Sequence, residues 1–381
     1  MDRLENVVQR YAWGSHTALA QLQGRPPSGE PEAELWLGAH PNAPSLLAAS
    51  GTPLDQAVRQ APAELLGEQV AAQFGHLPFL LKVLAAAQPL SLQAHPSRAQ
   101  AKAGFAREEA QGLARTAPDR NYKDDHHKPE LICALTPFDA LCGFRAPAQT
   151  LALFEVLGVT PLLEALRARD VRRAFEQLMN LPRPWQTALA TQVVAACAER
   201  PAPAFERECA WAVRLGARYP GDPGVVGALM LNLVRLEPGQ ALYLPAGNLH
   251  AYLEGVGVEL MASSDNVLRG GLTPKHVDVP ELLSVLDFGA GPVTVLTPRG
   301  APEAVYETPA PEFRLSRCQV RAPLTLERRG PDILLCTEGK VTVRAGTSLA
   351  LEQGASAFVA WADGPIHLDG AGVVFRATVG A

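Results

Sequence analysis

What this chain lacks is clustered cysteine, concentrated charge and long apolar runs, and each absence excludes something. Six cysteines (Cys133, Cys142, Cys197, Cys209, Cys318 and Cys336) are scattered over 381 residues with no Cys-x-x-Cys pair. That spacing excludes a disulfide-stapled secreted scaffold and reads as reduced thiols, mostly in the core. Charged residues make up 19%, the formal net charge is -5, and neither sign forms a block longer than a few residues. Bulk electrostatics therefore favours neither nucleic acid nor a membrane surface as a partner, and an anionic ligand would need a locally basic pocket. No apolar run approaches the roughly 20 residues of a membrane helix. The opening Met1 to Arg10 stretch is charged and has no apolar core of signal-peptide type. The expected setting is the cytoplasm, and the expected oligomeric state is a monomer.

What is present is a hydrophobic share of 47% and enough length for two or three domains with substantial cores. From about 11 to 144 the chain reads as short apolar runs broken by Pro, Gly and Asn. Strands are expected near 33–38, 79–84 and 131–135, with local helix near 53–74 and 96–111. After Arg145-Ala146-Pro147, apolar residues recur at helical spacing through 151–166, 171–179, 185–198 and 205–219, separated by Pro182, Pro184, Pro201 and Pro203. Strand texture returns from about 229 to 261. A further set of strands is expected at 324–327, 333–337, 341–344 and 373–378, with Thr337-Glu338-Gly339-Lys340 as a hairpin turn. The predicted class is mainly β with a helical insertion. Its units are 1–145 with 224–290, a helical unit 146–223, and a terminal unit 291–381.

Four side chains of metal-ligand type stand out. In Leu90-Ser91-Leu92-Gln93-Ala94-His95-Pro96 the apolar and polar residues alternate, so Gln93 and His95 share one face of a strand. Pro96 ends the ladder because it has no N–H. The same alternation at Leu249, Ala251 and Leu253 puts His250 and Tyr252 together, and Lys128-Pro129-Glu130 adds a carboxylate. Two imidazoles, a carboxylate and an amide oxygen suit a borderline divalent ion, with zinc the first choice and Mn, Co or Fe able to use the same donors. A lone histidine in a β protein is more often a hydrogen-bonded core or surface group, so the conjunction carries the reading. His126 is as well explained by a solvated polar loop.

Gly239, five residues, Pro245-Ala246-Gly247, two residues and His250 resemble the second motif of cupins. A terminal unit with Gly354-Ala355-Ser356-Ala357-Phe358-Val359 has no histidine at the matching turn, so that unit is expected to bind no metal. More of the chain resembles the type I mannose-6-phosphate isomerases. The matching segments are Tyr11-Ala12-Trp13-Gly14-Ser15, Ala33-Glu34-Leu35-Trp36-Leu37-Gly38-Ala39-His40-Pro41, Leu77 to Leu84, Leu90 to Pro96 and Asn121-Tyr122-Lys123-Asp124. His127 to Glu130, Leu141 to Arg145, and Ser264-Asp265-Asn266-Val267-Leu268-Arg269-Gly270-Gly271-Leu272-Thr273-Pro274-Lys275-His276 complete them. A minor departure is Glu254, where the family commonly has Asn.

The resemblance implies two cupin barrels with a helical domain, one Zn2+ per chain, and reversible conversion of mannose 6-phosphate to fructose 6-phosphate. Its implied zinc ligands are Gln93, His95, Glu130 and His250, and its catalytic arginine is Arg269. The reaction needs ring opening, removal of a proton beside a carbonyl, and a stabilised enediolate. Glu259 and Lys128 are both candidates for the base, and Asp265 and His127 for ring opening. Lys275, Lys82 and Ser91 are candidates for phosphate or hydroxyl contacts, and Tyr252 and Trp13 for the sugar; Trp36 reads as core. The competing readings are a non-enzymatic cupin that binds a sugar phosphate, and a cupin oxygenase.

Overall fold

The computed structural model describes residues 1–199 and 203–380. Among them, strands form two ten-stranded antiparallel sheets. In the first, the strands run in the order Leu231–Leu236, Phe138–Phe144, His250–Ala262, Phe79–Ala86, Glu34–Gly38 and Val7–Gln9. The strands Leu92–Ala94, Glu130–Ala134, Ala241–Leu244 and Leu268–Gly271 branch from this path. His250–Ala262 organises the site. Its first half pairs with Phe138–Phe144 and touches Leu92–Ala94 at His250↔Gln93, while its second half lies between Phe79–Ala86 and Glu130–Ala134. The partners change at a bulge between Tyr252 and Glu254, followed by Gly255 at φ 134°. A Cβ there would lie 2.8 Å from Phe138 Cα, so only glycine lets the strand bend this close to its neighbour.

The predicted helical stretch forms Pro147–Leu157, Leu163–Arg167, Val171–Asn180, Arg183–Glu199 and Glu206–Arg218. Their apolar faces bury Phe154, Phe175, Leu178, Val193 and Leu215 in one core with Leu92, Phe144 and Leu268 of the sheet. Phe144 and Phe175 meet edge to face at 5.4 Å, a geometry worth about 1 kcal/mol beyond the area buried. At the junction Arg145 is buried and donates to Leu231 O and to Glu208, which pins Glu206–Arg218 against the sheet edge.

The second sheet orders Glu303–Tyr306, Arg314–Val320, Ile366–Thr378, Asp332–Ala345, Ser356–Val359, Asp2–Glu5, Leu46–Leu47 and Thr52–Pro53. One expectation is corrected here. The turn predicted at Thr337 to Lys340 is a bulge between Cys336 and Glu338 inside one strand, both halves of which pair with Ile366–Thr378. Glycine at φ 73° serves a bulge as well as a turn, so sequence alone did not separate the two. Asp2–Glu5 joins this sheet from the start of the chain, pairing with Ser356–Val359 at Asp2↔Phe358 and with Leu46–Leu47 on its other side. Leu35, Leu81, Leu131, Phe313, Leu335 and Phe375 share one buried cluster, so the sheets pack on each other through a common core.

Among the described residues, no helix is long and apolar enough to cross a membrane.

Candidate metal centre and active site

His95 follows the short strand Leu92–Ala94, Glu130 opens Glu130–Ala134, and His250 opens His250–Ala262. All three are buried, at 1–2% exposure, and their ligand-type atoms lie within 4.8 Å of one another. His95 Nε2 is 3.3 Å from one Glu130 oxygen and His250 Nε2 is 3.3 Å from the other. His95 Nδ1–H donates to the Asn266 carbonyl at 2.7 Å, and His250 Nδ1–H to the Asn248 carbonyl at 3.0 Å. With the proton fixed on Nδ1, each Nε2 presents a lone pair. Neither Nε2, nor Glu130 Oε2, has a hydrogen-bond partner. Three buried acceptors converging without a proton between them leave a cost that a cation would relieve. Burial pushes His95 down to about 4, which keeps it neutral as a ligand must be. Burial opposes the charge on Glu130, yet the Lys128 ammonium beside it outweighs that and holds the carboxyl well below the usual range.

The turn before His250 is built for this. Asn248 N–H donates back to Pro245 O, and Gly247 N–H donates to His95 O at 2.8 Å, tying the two histidine segments together. Gly247 sits at φ 77°, and a Cβ on it would lie 2.9 Å from both Asp287 N and Val285 O. Gln93 pairs in register with His250 on one side and Arg269 on the other, so all three side chains share a face.

Around this group lies a chain of charges. Lys128 Nζ is 2.9 Å from Glu130. Lys82 stands opposite Glu259 in register and reaches it at 3.0 Å, with Glu34 at 3.8 Å and the Trp36 ring below at 5.2 Å. Burial opposes the Lys82 charge, but Glu259, Glu34 and Glu130 outweigh it and raise the ammonium above its ordinary value. Glu259 is raised by burial, against Lys82 and with Glu130 and Glu34. Lys82 is thus held in a buried ion pair. Tyr252 is fully buried beside His250, and its hydroxyl has no hydrogen-bond partner. Trp36 is buried as core, though its indole N–H donates to Glu34 at 2.6 Å.

Arg269 is half-buried, and burial alone lowers it. Lys275 is exposed at the rim and is lowered by burial and then by Arg269 and Lys123. Asp265 accepts from Asn42 at 3.1 Å and faces His40 Nε2 at 3.4 Å. Burial opposes its charge, and the His40 contact outweighs that and lowers its pKa. Trp13 stacks on Tyr11 at 5.7 Å, and Ser91 is half-buried just before Leu92–Ala94.

His127, expected at the sugar, is turned elsewhere: its Nε2 is 2.7 Å from Glu312, from the second sheet, and 3.1 Å from Arg98. Adjacent residues in extended chain point to opposite sides, and Lys128 takes the metal side. His126 is exposed, with its ring tilted against that of His76 and the centroids 5.6 Å apart. Sequence reasoning missed Tyr11, Glu34 and His40. Tyr11 is raised by burial and then by Glu34, with Lys82 and Asp265 also acting on it, so it belongs to the same electrostatic cluster. His40-Pro41 repeats at the end of Glu34–Gly38 the pattern His95-Pro96 shows after Leu92–Ala94, a signal that was available.

A β scaffold that converges two Nδ1-anchored histidines and a glutamate in a buried, charge-lined interior forms a site suited to a single metal ion. Residues 1–147 match the family model for the phosphomannose isomerase type I catalytic domain. Mannose-6-phosphate isomerase of Escherichia coli is 41% identical over 394 residues, covering 99% of each chain. Mannose-6-phosphate isomerase 2 of Arabidopsis thaliana is 34% identical, covering 99% of this chain and 92% of that one. Among solved structures, a point mutant of phosphomannose isomerase from Salmonella typhimurium superposes with TM-score 0.94 at 37% identity over the whole of both chains. A mannose 6-phosphate isomerase bound with zinc and yttrium gives 0.93 at 37%, again over both whole chains. The chain belongs to the mannose-6-phosphate isomerase family.

Proposed function

We propose that this protein is a zinc-dependent isomerase that interconverts mannose 6-phosphate and fructose 6-phosphate, acting as a cytoplasmic monomer. The observation that carries the reading is the trio of buried, unpartnered acceptors on His95, Glu130 and His250. His95, Glu130 and His250 would hold the ion, with Gln93, in register with His250, as a further donor. Bound there, a divalent ion supplies a Lewis acid for a sugar oxygen. The relatives' zinc-bound forms support zinc.

The remaining steps belong to side chains. Asp265, ionised and oriented by His40 and Asn42, moves the hydroxyl proton in ring opening. Glu259, made more basic by burial, is the proposed base for abstracting the proton next to the carbonyl, with Lys128, beside Glu130, as the alternative. Lys82 limits how far Glu259 rises. Arg269 offers a planar fork to the enediolate oxygens. Lys275 meets the phosphate at the rim, with Ser91, Tyr252 and Trp13 about the sugar. His127 is given a different role below. The sheets are read as two cupin barrels, one from 1–145 with 224–290 around the helical unit 146–223, and one from 291–381. Strand exchange at residues 2–5 joins them.

A coupled assay following fructose 6-phosphate from mannose 6-phosphate tests the reading. Turnover that a chelator abolishes is expected. Tight binding of the sugar phosphate with no product would favour the non-enzymatic alternative.

A further inference from the structure

Among the described residues the second sheet carries no part of the metal centre, yet a residue in the loop between two of its strands touches both segments that do. Glu312 lies between the strands Glu303–Tyr306 and Arg314–Val320 and is 4% exposed. One carboxylate oxygen accepts from His127 Nε2 at 2.7 Å and also from Arg98. Arg98 lies three residues after His95, and His127 three residues before Glu130. Both linking stretches are stiffened: Pro96 and a Ser97 capping box precede Arg98, and Pro129 follows Lys128. Burial opposes ionisation of Glu312, but His127 and Arg98 outweigh it, so the carboxyl is an anion at neutral pH.

We infer that Glu312 is a positioning residue through which the second sheet clamps the His95 and Glu130 segments at a fixed separation and so sets metal retention and catalytic geometry. A buried carboxylate that accepts from both an arginine and a histidine is coupled to both, so its loss is transmitted to the chain on either side. This rests on the metal site proposed above. It assigns His127 to the clamp, not to the sugar.

The test uses zinc-loaded full-length protein and measures the rate of zinc release to a chromogenic chelator, alongside kcat and KM. Glu312→Gln keeps the shape and removes the charge. Partners that orient metal ligands are worth about 10–100-fold in metal affinity, and the clamp lies one step further out, so release about 5–10-fold faster is expected. A fall in kcat with KM within about twofold should accompany it, since the change is in geometry and not in uniform binding. His127→Gln added to Glu312→Gln should cause no further acceleration, because the clamp is already open. Trp361→Ala is the control: Trp361 of the second sheet's region lies against Gly67, another contact between the two halves. It should lower thermal stability and leave zinc release unchanged. Unchanged release in Glu312→Gln, or equal acceleration in Trp361→Ala, overturns the inference. Should Glu312→Gln not fold, Arg98→Gln, at a half-exposed position, carries the same expectations and the same refutation. A wild-type protein that holds no zinc would instead remove the metal site itself.

Discussion

Replacing Lys82 by methionine is the most demanding test of the charge arrangement, because the structure fixes what is left behind. The ammonium lies 3.0 Å from Glu259 and 3.8 Å from Glu34, and all three side chains are less than 10% exposed. Methionine fills a similar volume, so packing loss is small, but two carboxylates then face each other without a cation. Removing one partner of a buried pair costs about 3–5 kcal/mol, and a second stranded carboxylate argues for the upper half. The loss should depend on pH. Burial, Glu130 and Glu34 already raise Glu259, and without Lys82 it rises further. The native state then binds a proton more tightly than the unfolded chain, so stability increases as pH falls through the folded pKa toward the ordinary carboxylate value. The deficit relative to wild type should therefore shrink between pH 7.5 and 5.5. Lys82→Met/Glu259→Gln, which removes both charges, should recover at least half of the loss, since neutralising a whole buried pair is often tolerated. Equilibrium urea unfolding of the three proteins at both pH values measures this. A deficit below about 1 kcal/mol, typical of an exposed pair, or one that grows on acidification, would refute the buried-pair reasoning.

Other consequences concern the reaction. His40→Gln removes the contact that lowers Asp265, so the acid limb of kcat/KM should move to higher pH; an unmoved limb would take Asp265 out of the ionised role. Arg269→Lys keeps charge and loses the fork, and kcat should fall by roughly 100-fold with zinc retained; an unchanged kcat would sink the catalytic assignment. In heavy water, prolonged reversible turnover should place some deuterium at C1 or C2 of the sugar, and its complete absence would favour hydride transfer.

Much of the site was legible because strand alternation and the Pro-x-Gly turn are local rules. Period-two spacing put Gln93 and His95 on one face of a strand and His250 with Tyr252 on one face of another, and the two strands meet at the His250↔Gln93 register. The helical segments between Pro147–Leu157 and Glu206–Arg218 were likewise marked by apolar spacing and by proline breaks. What escaped were relations made by long-range pairing. Nothing local says that Asp2–Glu5 joins a sheet from the far end of the chain, or that Lys82 meets Glu259, which is 177 residues away. The partner of His127 was hidden for the same reason: its neighbours Lys128 and Glu130 face the metal centre, while Glu312, which it contacts, lies between two strands of the other sheet. The bulge at Cys336 and Glu338 shows the limit of turn chemistry, since a glycine with positive φ marks a departure from regular strand without saying which kind.

The central claim is that His95, Glu130 and His250 hold one divalent ion on which isomerisation depends. Titrating chelator-stripped protein with Zn2+ while following fructose 6-phosphate formation tests it most directly. Activity should be absent at the start and rise linearly to a plateau at one equivalent per chain, with no recovery in His250→Ala. Turnover in the metal-free protein, or full recovery in His250→Ala at one equivalent, would contradict it.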